Sequence, residues 1–255
     1  MPGLFTHYLA ADAAYNSLQD GPLKEFITKY RHIYDMGAQG PDVFSYYRPL
    51  SKYREDITRY NAMLHERQVE YALRTMIKYM SDQIGEDKNI LAAYMLGYIV
   101  HYAVDSACNP YMHYRAGFVA QGRGDEKKFK YYYNKLRSEI DYLITKKITG
   151  KKPTEIRMTP HVEVDYKELD EFCRMYPVVL KVVYGKNSSR DFIIKAYQNM
   201  YEFSKKLYKT KFYHRLFYKI IELIKKNKGE FTLLFAPRKI KDLDQLNEKK
   251  AEWLL

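Results

Sequence analysis

The chain has 255 residues, of which 46% are hydrophobic, and it carries 43 Lys or Arg against 31 Asp or Glu, for a formal net charge of +12. That length and apolar content suffice to bury a substantial core, and 12 Gly with 9 Pro are too few for a many-stranded all-β fold built on tight turns. Two cysteines, Cys108 and Cys173, give no disulfide framework and suit a reducing compartment. The N-terminus lacks a basic stretch followed by an apolar core and a small-residue cleavage site, so a cytoplasmic location is expected. No segment reaches the roughly 18 uninterrupted apolar residues of a membrane span.

Apolar residues recur at helical spacing over 7–19, 22–35, 57–82, 87–107, 126–147, 166–184, 190–208, 212–227 and 239–252. Asp20-Gly21-Pro22 stops the first helix and starts the second, because proline suits the first helical position and no interior one. Gly85 with Asp87 separates the third from the fourth. Lys186-Asn-Ser-Ser-Arg190 separates two more and offers an N-cap serine. Residues 36–56 read as an irregular connection and 148–165, with Pro153 and Pro160, as a second. Phe231-Thr-Leu-Leu-Phe235 reads as a short extended run before Pro237. No linker, repeat or low-complexity stretch divides the chain. The expectation is a single multi-helix all-α domain over 1–255, with eight or nine helices.

Four places carry ionisable groups suited to chemistry. The apolar run 91–100 ends in His101-Tyr-Ala-Val-Asp105, and positions i and i+4 of a helix share a face. An imidazole and a carboxylate there suit a borderline cation such as zinc, and they equally suit a hydrogen-bonded structural pair. Thr6-His7-Tyr8 lies near the start. Gly37-Ala-Gln-Gly40-Pro41-Asp42 is a rigid turn expected to expose its carboxylate as a ligand loop does. His65 lies early in a long helical pattern. Singly, His7 reads as a surface residue, Asp42 as a cap and His65 as a solvated helix position. His161, in a polar stretch, is expected to be exposed.

Taken in order, these pieces resemble the zinc-dependent phospholipases C and their relatives, the zinc nucleases specific for single strands, and look closest to a leaderless bacterial branch. The matching segments are Thr6-His7-Tyr8, Gly40-Pro41-Asp42, Leu64-His65-Glu66, Leu96–His101, Asp105–Tyr111 and a tail, Leu246–Trp253. The resemblance implies an all-helical fold holding up to three metals. One would be held by Asp42, His65, His101 and the bridging Asp105. His7 would serve another metal that shares Asp105. The third departs from the pattern. Where the family has histidine, histidine and glutamate, this chain has Asn109, Tyr133 and Arg137, aligned on Glu139-Ile140-Asp141.

Asn109 is a poor zinc ligand, a phenol is unusual and a guanidinium cannot ligate. Exchanging carboxylate for guanidinium changes the charge by two units, each worth about 3 kcal/mol at roughly 5 Å and an effective dielectric of about 20. That metal position is therefore expected to be lost. Arg137 is expected to pair with Asp105 or another carboxylate, with Tyr133 beside it, and both are candidates for holding a substrate phosphate. His113 is a candidate substitute ligand, its alternative being a plain loop residue after a Pro-Tyr turn.

The implied chemistry is hydrolysis of a phosphodiester or phospholipid-like substrate, by in-line attack of metal-activated water on phosphorus. Asp42 would be both ligand and proton acceptor. A helical interaction domain that binds metal without turnover is the second expectation, and a nuclease-like protein the third. Tyrosines, 27 in all, read mainly as amphipathic core and rim residues. Lysines concentrate in 127–152 and 205–228. They read as a solvated surface, with an anionic membrane or, less strongly, nucleic acid as alternative partners.

Overall fold

A computed structural model describes residues 2–117, 126–226, 228–235, 237 and 240. The matched tail, Leu246–Trp253, and the helical pattern 239–252 lie outside the described residues. Among those described, ten α-helices and four short 3-10 helices make up the regular structure, with no strand, so the chain is all-α. The α-helices are α1 (Leu4–Ser17), α2 (Pro22–Lys29), α3 (Arg31–Gly37), α4 (Arg54–Glu66), α5 (Val69–Ser81), α6 (Gly85–Ala116), α7 (Glu126–Thr149), α8 (Tyr166–Tyr184), α9 (Arg190–Leu207) and α10 (Phe212–Lys225).

Two of the expected long helices are each broken in two. The first breaks at Tyr30, whose amide still bonds the Phe26 carbonyl. The second breaks at Gln68, which takes a left-handed conformation with φ 47° and ends α4 before α5 begins. Neither break carries the Gly or Pro that punctuates a sequence. Pro110 stands inside α6, where a turn was expected, and the helix continues to Ala116. By length and composition α6 is apolar enough to cross a membrane, yet half of its most apolar window is buried in the protein. The run 231–235 is not extended: Thr232–Leu234 is a 3-10 helix. Buried Glu222 of α10 accepts the Phe231 and Thr232 amides at 2.7 and 2.6 Å, which holds that turn closed. Ser189 accepts the Asp191 amide at 3.2 Å as the expected N-cap of α9.

The described chain separates into two compact units, both assembled from distant segments. One comprises residues 11–102 and 159–204. Its core is aromatic: Tyr94 stacks on Phe172 with centroids 4.6 Å apart, and its hydroxyl bonds those of Tyr176 and Tyr197. These phenols are fully buried, so their mutual hydrogen bonds spare the cost of an unsatisfied polar group. Within this unit α3 and α6 touch backbone to backbone. A Cβ on Gly37 would lie 2.1 Å from the Tyr94 carbonyl oxygen, and one on Gly97 would lie 2.0 Å from that of Tyr34. Only glycine permits this approach. His161, expected to be exposed, is half-buried, because its Nδ1 lies 3.0 Å from an Asp35 carboxylate oxygen.

The other unit comprises the described residues within 1–10, 103–158 and 205–240. Leu9, Cys108, Met112, Leu136, Ile140 and Ile144 form its buried cluster, which joins the start of α1 to the second half of α6 and to α7. Burial pushes the Cys108 thiol up to about 11, with Asp105 adding to the shift. Asp141 of α7 supplies the cap that α1 lacks locally. Its carboxylate accepts the amides of Phe5 and Thr6 at 3.3 and 2.9 Å and the Thr6 hydroxyl at 2.6 Å. The first amides of a helix have no partner within it and favour an anion. Gly3 makes room for this, since a Cβ there would lie 2.2 Å from an Asp141 oxygen.

Candidate metal centre

Asp42, His65 and His101 gather in the first unit, each offering an atom within 4.8 Å of those from the other two. Asp42 arrives on a 3-10 helix, Gly40–Tyr46, that begins with Pro41 in its first turn. Contrary to the exposed loop expected from sequence, this turn is buried and Asp42 with it. The reason is local packing: the turn lies against α4, and Phe44 sets its ring edge-on to Tyr60 and Tyr176. Gly40 has φ +49°, and a Cβ there would lie 2.5 Å from the His101 ring. The glycine is required both by its conformation and by the imidazole beside it.

The two imidazoles are set by carbonyl groups. His65 Nδ1 lies 2.8 Å from the Asn61 carbonyl oxygen, and His101 Nδ1 lies 3.1 Å from that of Ala38. A carbonyl can only accept, so each Nδ1 carries the proton and donates it. In the neutral ring Nε2 then has a lone pair. The two Nε2 atoms face one another at 2.9 Å. Two lone pairs at that separation repel unless a cation lies against both or one ring takes up a proton. The α3–α6 approach through Gly37 and Gly97 is what carries Ala38 to His101.

Asn61 serves the site twice. Its backbone oxygen orients His65, and its side-chain amide donates to Asp42 Oδ1 at 3.1 Å and to Ser45 Oγ at 2.6 Å. Sequence reasoning missed this residue. The signal available was its position one helical turn before His65 on α4, where a backbone carbonyl faces the following ring.

His7 and Asp105 come together in the second unit, with His7 Nε2 3.5 Å from Asp105 Oδ1 and both side chains buried. Asp105 stands one turn beyond His101 on α6, as the spacing predicts. The Asp141 cap fixes the start of the helix that bears His7. Among the described residues Asp42, His65 and His101 form one group of potential ligands, and His101 recurs in a second, with His7 and Asp105.

The three replaced positions also lie near one another. Tyr133 donates to Asn109 Oδ1 at 2.8 Å, spanning α7 and α6 directly. The His113 ring sits edge-on to Tyr133 and Phe129, at 5.2 and 5.8 Å between centroids, and belongs to neither group of potential ligands found among the described residues. The Arg137 charge acts on another carboxylate, that of Asp141, one turn further along α7. Burial raises the Asp141 carboxyl above its ordinary range, and the Thr6 hydrogen bonds with the Arg137 charge offset part of that rise.

Comparison with known proteins gives one family. A family model described as zinc dependent phospholipase C matches residues 6–181, about two thirds of the chain and all of the candidate ligand positions named above. No curated protein and no solved structure matches.

Proposed function

We propose that this chain, which belongs to the zinc-dependent phospholipase C family, binds one zinc ion through Asp42, His65 and His101 and hydrolyses a phosphodiester of the phospholipid type. The observation that carries the reading is the pair of Nε2 lone pairs facing each other at 2.9 Å beside a buried carboxylate. Two neutral imidazoles and one carboxylate form a ligand set that zinc enzymes use while leaving a position open. By resemblance to the family pattern, Asp105, one turn along α6, would be the bridging fourth ligand.

Bound zinc would supply a Lewis acid for a phosphoryl oxygen and bring the pKa of a water molecule toward neutrality. The protein's part is orientation. Ala38 and Asn61 fix both tautomers, while the Asn61 amide holds Asp42 Oδ1 in place. Asp42 and His101 are buried, which strengthens the charge interactions between them.

A second reading is favoured by one observation. The Tyr133–Asn109 hydrogen bond fills positions where the family pattern has metal ligands, and relatives place further metals to neutralise phosphate oxygens. With those lost, a metal-stabilised domain without turnover is the alternative. An assay on a chromogenic phosphodiester separates the two. Turnover abolished by chelator and restored by zinc is expected, and one tightly held zinc with no turnover would select the second reading.

A further inference from the structure

We infer that α10, together with the lysine cavity at its C-terminal end, docks on the surface of an anionic phospholipid bilayer. Along α10, Phe212, Leu216, Phe217, Ile220, Leu223 and Ile224 are all exposed, the last two at 70% and 69%. At 100° per residue they occupy one continuous arc of about 140°. The opposite face is already committed: Tyr218, Ile221 and Glu222 are buried, and Glu222 is locked to the 231–232 amides. The exposed arc is therefore a second apolar face with a fixed orientation. A monomeric protein rarely leaves so many contiguous large apolar side chains in water without a partner.

Charge identifies the partner. Lys211 precedes the helix, Lys219 borders the arc, and Lys225 and Lys226 end the helix. Immediately beyond lies a cavity of about 110 Å³ lined by Lys127, Lys130, Lys226 and Lys228 with Asn134 and Glu230. Four ammonium groups against one carboxylate suit a phosphate-bearing headgroup, and the arc beside them suits the acyl boundary. Pairing two copies through this face would instead bring like-charged lysines together. The inference is separate from the zinc site, because docking needs no turnover.

The test is co-sedimentation of the full chain, in chelator, with vesicles of phosphatidylcholine alone or mixed equally with phosphatidylglycerol. Binding is expected to the mixed vesicles and not to the neutral ones, and to weaken with salt. Leu223→Glu with Ile224→Glu, and separately Lys226→Glu with Lys228→Glu, should each weaken binding about tenfold or more. Ile84→Glu, at an exposed apolar residue elsewhere, should leave it unchanged. Equal binding to both vesicles, or no loss in the α10 double variant, would overturn the inference. So would a dimer that this variant converts to monomer while vesicle binding is absent, since a second copy would then be the occupant.

Discussion

His65 and His101 present their Nε2 atoms to each other at 2.9 Å while each donates its Nδ1 proton to a carbonyl. The arrangement is poised for a cation because neither ring can rotate to relieve it without breaking its hydrogen bond to a carbonyl. His101→Ala should therefore lower zinc affinity by more than about 100-fold, beyond the loss typical of an outer-shell residue. Competition with a chromophoric chelator measures it, and His65→Ala should behave alike.

Asn61→Leu should lower zinc affinity by about 10–100-fold without removing any ligand atom. The substitution keeps the backbone carbonyl that orients His65 and removes only the amide held against Asp42 and Ser45. The same competition assay reads it. An unchanged affinity would mean that Asp42 needs no support from α4.

The Tyr133–Asn109 contact makes the lost position open to reconstruction. Asn109→His with Tyr133→His and Arg137→Glu should raise bound zinc from one to two per chain, counted by mass spectrometry of the metal content. Nitrogen ligands would replace groups that already meet at 2.8 Å, and the charge reversal would be worth about 3 kcal/mol per unit pair toward a dication. A parent already holding two zincs tightly would contradict the loss.

Stability should carry a pH signature from Asp141. Its carboxyl is raised in the folded protein chiefly by burial, so the native state holds the proton more tightly than the unfolded state does. The contribution is fully present below the unfolded value, near 3.8, and is lost as pH rises through the higher folded value. Denaturant unfolding at a series of pH values should show that decline in the parent and a flatter profile in Asp141→Asn. The variant should also lose about 1 kcal/mol from the weakened cap of α1.

Much of the helical layout was legible because it rests on periodicity and strong punctuation. Pro22 starts α2, Ser189 caps α9, and α8 runs over the expected 166–184. The breaks at Tyr30 and Gln68 were not legible, since both are set by packing without a breaker residue. At the site, the ligand residues stood out by type and order. Their environment did not: Asp42 is buried where a glycine-rich turn suggested exposure, because Phe44 two residues on anchors that turn in the aromatic core. The orienting carbonyls of Ala38 and Asn61 carry no side-chain signature. Arg137 was expected to pair with Asp105 or another carboxylate; its charge acts on Asp141, which the sequence offered only as an alignment anchor.

The central claim is that one zinc sits between His65 and His101 beside Asp42. Diffraction from zinc-loaded crystals, collected on both sides of the zinc absorption edge, tests it most directly. An anomalous peak is expected about 2.0–2.2 Å from His65 Nε2, His101 Nε2 and an Asp42 oxygen. A zinc-loaded crystal with no peak at that point, or with its zinc held elsewhere while the two imidazoles turn apart, would contradict it.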